Sequence, residues 1–142
     1  EKQNNSMLNW SKPDSWIPSK GSSMRIASFD IPYSMGIGDL SIIELDGNGG
    51  GLTSNINRWR RQLNLDSISL EEIEENISLH KGLLGEFKII EIIDENTNNA
   101  FLCAILFQSN SSLFIKLSIQ SNGIYEVKND FISFITSINR SQ

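Results

Sequence analysis

The sequence predicts an α+β protein in which an antiparallel sheet has helices packed over it. Strand-like segments come as a run of two and then a run of three, with helix-patterned segments grouped between and after them rather than alternating with them. The links between the last three strands, residues 95–99 and 109–112, are short and polar, which suits an antiparallel meander. Two segments place apolar residues at helical spacing: Leu52, Ile56, Trp59 and Leu63, and later Val127, Phe131, Phe134, Ile135 and Ile138. A doubly wound nucleotide fold is disfavoured because strands and helices do not alternate, and no internal repeat is present.

Taken in order, residues 1–9 are polar and without periodicity, so they read as a flexible tail left by processing or trimming, ahead of a single domain over 10–142. Order is expected to begin at Trp10. Trp10 and Trp16 flank a Pro13-Asp14-Ser15 turn, an arm whose indoles are expected to pack on the domain edge rather than stack on a ligand. Residues 24–31 alternate as a strand led by Arg25 and ended by Pro32, and 39–46 read as its hairpin partner. The cluster Gly47, Gly49, Gly50 and Gly51 then opens the central helix. Ser69-Leu70-Glu71-Glu72 is a capping box for a short second helix, with Leu70, Ile73 and Ile77 on one face and Gly82 or Gly85 beyond its end. Strands follow over 87–94, 101–108 and 113–120. The terminal helix is expected to enter near Asn129-Asp130 and to lie flat on the sheet.

Composition bounds the function. At 142 residues, 39% hydrophobic and 20% charged, the chain suits one globular domain that buries about two thirds of its unfolded surface without metal or disulfide. A net charge of −5 argues against a nucleic-acid binder, with Arg58, Arg60 and Arg61 a local exception. The single cysteine, Cys103, sits in an apolar strand and reads as an inert core thiol. No apolar run approaches the roughly 20 residues of a membrane span, and no signal-peptide pattern is present. His80, the only histidine, is expected to serve the C-terminus of the second helix, which disfavours a Ser-His-Asp or Cys-His site. Glu71, Glu72, Glu74 and Glu75 read as a solvated face, with no EF-hand spacing. No catalytic residue, metal ligand or cofactor is assigned.

Two features remain as candidates. Gly49, Gly50 and Gly51 precede a helix, where free N–H groups could meet an anion, although the favoured reading is a tight turn that needs positive φ. Asn55, Arg58 and Gln62 form a polar stripe beside the apolar face, flanked on the other side by Arg60. Arginine supplies a planar donor fork and the amides supply donors and acceptors. The stripe is either an internal clamp, tied to the tryptophan arm or to loop carbonyls, or a recognition surface; the accessibility of the guanidinium separates the two, and the clamp is favoured. Lys116, between Ile115 and Leu117, reads as a snorkelling surface lysine.

Trp10-x-x-Pro13-x-x-Trp16, Met24-Arg25-x-Ala27-x-Phe29, Asp39-x-Ser41, Gly49-Gly50, Asn55-x-Asn57-Arg58-Trp59-Arg60-x-Gln62-Leu63, residues 113–117 and the closing 131–138 resemble an uncharacterised family of exported bacterial lipoproteins. The resemblance covers residues 10–138. It implies a cell-envelope location, in the periplasm or on the outer surface, with the membrane reached only through a lipid anchor on a longer precursor. More distantly, the opening, strand order and terminal helix are similar to the sandwich shared by PsbP and the Ran-binding Mog protein, which are binding or accessory modules. The expected function is accordingly a non-enzymatic envelope domain that binds a protein partner or a small polar or anionic ligand. The alternative is an enzyme or anion-binding protein that uses the glycine turn with Arg58 or Arg60.

Overall fold

The computed structural model describes residues 7–22 and 24–141. The N-terminal arm contributes two short strands, β1 (Leu8–Asn9) and β2 (Ile17–Pro18). Next come the hairpin β3 (Ala27–Tyr33) and β4 (Gly36–Asp46), then helices α1 (Leu52–Gln62) and α2 (Leu70–Asn76). Strands β5 (Ser78–Gly82), β6 (Gly85–Ile93), β7 (Asn99–Phe107) and β8 (Ser111–Gln120) follow. A 3-10 turn leads into α3 (Ile124–Ser137), and β9 (Asn139–Arg140) closes the chain. The main sheet has seven strands in the order β2-β3-β4-β8-β7-β6-β5, all pairs antiparallel.

The period of two along each strand sends alternate side chains to opposite faces, and both faces of the middle strands are buried. In β7, Ala100, Leu102, Ala104 and Leu106 join the core beneath α3, whereas Phe101, Cys103 and Ile105 join the core beneath α1 and α2. The helices therefore lie on both faces as outer layers. On the α3 face, Phe131, Phe134 and Ile135 meet the sheet together with the arm. Trp16 is 2% exposed with its ring 4.9 Å from that of Phe134, and the Trp10 ring lies 6.0 Å from that of Phe29. The indoles pack on the domain edge as expected.

The α1 stripe is also as expected: Ile56, Trp59 and Leu63 are buried, and Trp59 meets Phe114 edge-on at 6.3 Å. The Ser69 capping box forms, with Glu72 N donating to Ser69 Oγ and Ser69 N to Glu72 Oε1. This second core draws on β6, β7 and Phe114 of β8. Helices α1 and α2 thus cover one half of their face and leave the β3–β4 half open.

Local boundaries differ at several places. Leu8–Asn9 pair with Asn139–Arg140, so the folded part begins before Trp10; residues 1–6 of the expected tail lie outside the described residues. Helix α2 ends at Asn76, since Ile77 is extended, and 78–82 form the edge strand β5. His80 is therefore not a helix-end residue. It stacks on Phe87, its cross-strand partner, at 5.3 Å, and its Nε2 shares a hydrogen bond with Ser78 Oγ. Strand β3 runs past Pro32 to Tyr33, opposite Gly36. Helix α3 starts at Ile124, ahead of Asn129, because Ile124 and Val127 extend its buried stripe by another turn.

Removing the Trp59 ring would open a cavity between α1 and the sheet. Trp59→Ala is expected to cost about 3–5 kcal/mol in urea unfolding; a midpoint near that of the wild type would contradict the packing described here.

Candidate functional site

The turn into α1 is built by backbone geometry. Gly47, Gly49, Gly50 and Gly51 all have positive φ, between 59° and 97°. At Gly49 a Cβ would lie 2.6 Å from the Phe114 ring, so the turn can sit on the sheet only because the side chain is missing. The N–H groups are used inside the fold. Gly47 donates to Asn110 O, Gly49 to Asp46 O, Gly50 to Asn48 Oδ1 and Gly51 to Asn48 O.

Asn55 closes this turn onto the helix. It is fully buried, and its Nδ2 donates to Gly49 O at 2.9 Å and Gly51 O at 2.6 Å. Its Oδ1 accepts from Arg58 Nη1 at 2.5 Å. Asn55 is thus a clamp on loop carbonyls, and the tryptophan arm lies on the opposite face of the sheet. Arg58 behaves differently. It is partly exposed, its guanidinium carbon lies 6.0 Å from the Trp59 ring, and among the described residues its remaining N–H groups have no acceptor.

Arg58 borders a recess of about 280 Å³ between α1 and the open half of the sheet. One turn further along α1, Gln62 lines the same recess and accepts from Lys116 Nζ at 2.9 Å. Arg60 points elsewhere, with Nε donating to Asp66 O. The structure therefore brings Arg58 and Gln62 together at a cavity, and sets Gly49, Gly50, Gly51, Asn55 and Arg60 outside its lining.

Three residues that the sequence reading did not assign complete the recess. The register lines up Ser28, Ser41, Lys116 and Cys103 across β3, β4, β8 and β7 on the face that carries α1. Lys116 is more enclosed than a surface lysine: it is half-buried, and its Nζ lies 4.5 Å from the Phe101 ring centroid and bonds to Gln62. Arg25 overhangs from the loop before β3, held by Asp39 through Nη1 at 3.0 Å and Nη2 at 2.8 Å and by Ser28 Oγ at 3.0 Å. Ser41 is 3% exposed, lines the recess, and among the described residues its hydroxyl makes no hydrogen bond.

Three cationic side chains thus border one recess in a chain of net charge −5, and one carboxylate, Asp39, is committed to Arg25. Burial above all holds Lys116 below the usual lysine range, and the nearby Arg25 and Arg58 add to it. Burial drives the Cys103 thiol far the other way, so it stays protonated beside Lys116. The signal that could have revealed Ser41 and Lys116 is polar residues at alternating positions of strands otherwise buried on both faces. It becomes readable only once β4 and β8 are known to be neighbours.

A sheet with α3 and the arm on one face and α1 and α2 on the other is a PsbP-like α+β sandwich. No protein-family model and no curated protein matches the chain. Among solved structures it is similar to the cyanobacterial PsbP (CyanoP) from Synechocystis sp. PCC 6803, with a TM-score of 0.57 and 13% identity over 94% of this chain and 92% of that one. It is also similar to LpqN, involved in cell envelope biogenesis of Mycobacterium tuberculosis, with a TM-score of 0.55 and 9% identity over 99% and 87% of the two chains. A Bacteroides thetaiotaomicron VPI-5482 structure gives a TM-score of 0.56 and 15% identity over 95% of this chain, which spans 45% of its length. At these identities the likeness is one of fold. Among the described residues no helix is long and apolar enough to cross a membrane.

Because its folded-state pKa is lowered, Lys116 binds its proton less tightly in the native than in the unfolded chain. Its charge therefore costs stability at neutral pH, and that cost disappears as pH rises towards the ordinary lysine value of 10.5. Lys116→Met should accordingly melt higher than wild type at pH 7, with the difference shrinking on the alkaline side. A variant that melts lower at pH 7 would show that the ammonium is a structural brace.

Proposed function

We propose that this protein is a non-enzymatic cell-envelope domain that holds a small anionic ligand in the recess between α1 and the β3–β4 half of the sheet. The observation that carries the reading is Ser41: a buried hydroxyl without a partner among the described residues, lining a recess bordered by Arg25, Arg58 and Lys116. A buried polar group left unpaired is costly, and grouping cations adds to that cost, so a bound anion would satisfy both. The recess favours a small ligand over a protein surface, because Ser41 lies at its floor, where a flat partner would not reach.

Two further points support a binding role. Among the described residues the recess is lined by no carboxylate, imidazole or thiol, and the one amine opposite Ser41, Lys116, is bonded to Gln62 and makes no hydrogen bond to the Ser41 hydroxyl. The glycine turn supports an enzyme reading poorly, since its N–H groups are already bonded. For location, the Asn55-x-Asn57-Arg58-Trp59-Arg60-x-Gln62 resemblance and the fold shared with an envelope-biogenesis protein support the envelope, reached through a lipid anchor on a longer precursor.

Calorimetric titration with acetate, sulfate and inorganic phosphate tests the anion site. At least one of the three should bind saturably at a single site. Ser41→Ala should weaken that binding by about tenfold, since a hydrogen bond to a charged group is worth about 1.5–3 kcal/mol, while leaving the melting point equal or higher. Arg58→Lys should also weaken it through loss of the planar fork, with little change in stability. Absence of saturable binding by all three anions, or full retention of binding in Ser41→Ala, would sink the proposal.

A further inference from the structure

The recess is graded along its length, and the grading follows from strand register. On β4 the residues that face it are Ser41, Ile43 and Leu45, stepping about 7 Å per pair of residues. On β8, Lys116 stands opposite Ser41 and Phe114 opposite Ile43. Helix α1 runs alongside in the matching sense. Its start is the glycine turn, where Gly49 abuts Phe114 and Leu45, and its last residue, Gln62, meets Lys116. One end of the recess is therefore polar and cationic, and the other end is apolar.

The donors at the polar end are side-chain groups, and several are already spent. Both Nη atoms of Arg25 are held by Asp39 and Ser28, Lys116 spends one N–H on Gln62, and the turn's N–H groups are bonded internally. What remains among the recess-lining side chains includes the planar edge of Arg58, the Ser41 hydroxyl, the other N–H groups of Lys116 and the two Arg25 N–H groups, on Nε and Nη2, that neither Asp39 nor Ser28 takes. This set suits the two coplanar oxygens of a carboxylate. Many phosphate sites add backbone N–H groups at a helix start or nest to such a fork, and the strand pairing of Ser41 with Lys116 leaves no such group beside them. A recess of about 280 Å³ is of the size that takes a small molecule.

Resting on the anion-site reading above, we infer that the ligand is a small amphipathic carboxylate: its head lies on Arg58, Ser41 and Lys116, and a short apolar chain or ring runs past Ile43 and Phe114 towards Leu45. The head supplies orientation. The body supplies affinity, by leaving water for a wall that is otherwise wetted.

The experiment titrates the intact chain with acetate, butanoate, hexanoate, hexanol, inorganic phosphate and hexyl phosphate. Affinity should rise from acetate to hexanoate by more than about tenfold, since each buried CH₂ contributes about 0.8 kcal/mol. Hexanol should not bind measurably, and hexyl phosphate should bind more weakly than hexanoate. Ser41→Ala should weaken every carboxylate by a similar factor, whereas Leu45→Ser should flatten the chain-length dependence and leave acetate unchanged. Binding of either phosphate at least as tight as hexanoate, or equal affinity for acetate and hexanoate, overturns this inference while the anion site stands. Failure of all the anions to bind removes the anion site itself.

Discussion

The constraint on which this structure depends is the register of a sheet buried on both faces. Strands β7 and β8 have no solvent side over most of their length, so a slip of one residue would exchange the two sets of side chains between two different cores. Phe101, Cys103 and Ile105 fit beneath α1 and α2, and Ala100, Leu102, Ala104 and Leu106 fit beneath α3. The smaller residues lie on the face crossed by the long helix and the arm. Once this register is set, Lys116 has no choice of side: it must project from the α1 face, beside Ser41 and Cys103.

That placement runs against packing. An ammonium with Phe101 on one side and two guanidinium groups nearby would, in a purely structural protein, be replaced by an apolar residue at little cost or with a gain. The unpaired hydroxyl of Ser41 is a second departure of the same kind. Grouped departures from local consistency are characteristic of sites kept for function, where stability is given up for a task. Here they share one recess, which is why the anion reading rests on them and not on the glycine cluster.

Helix α1 connects these elements. Its buried Asn55 ties the turn to the first helical residues and orients Arg58 through a single side-chain bond, while Asn57 fixes the chain after the helix by exchanging two hydrogen bonds with Ile68. The polar stripe is therefore divided. Asn55 is structural, and Arg58 and Gln62, one and two turns on, face the recess. Residues on one helical stripe can take opposite roles because the helix covers only part of the sheet: Asn55 lies over the packed turn, and Arg58 and Gln62 lie where the covered half of the sheet gives way to the open half.

By itself the sequence determined what short-range pattern can encode: the α1 and α3 stripes, the Ser69 cap, the β3–β4 hairpin, the meander, the packed indoles and the inert thiol of Cys103. The stripes, the cap and the tight links depend on residues two to four apart, and their physics is complete within a segment, whereas the indoles and the thiol were read from their apolar character and surroundings. It did not reveal β5, because Ser78 to Gly82 is an exposed edge whose weak alternation follows directly on a capped helix, and its strand state comes from pairing with β6. It pointed to Arg58 and Gln62, which border the recess, gave Arg25 and Ser41 no role there and read Lys116 as a surface lysine. Those three come from separate strands and a loop, and only the long-range pairing of β4 with β8 sets Ser41 against Lys116 under the arginines. Tertiary structure decided this because sheet order is not written in any one strand: it is chosen by the burial of two faces at once, which is a property of all seven strands and three helices together.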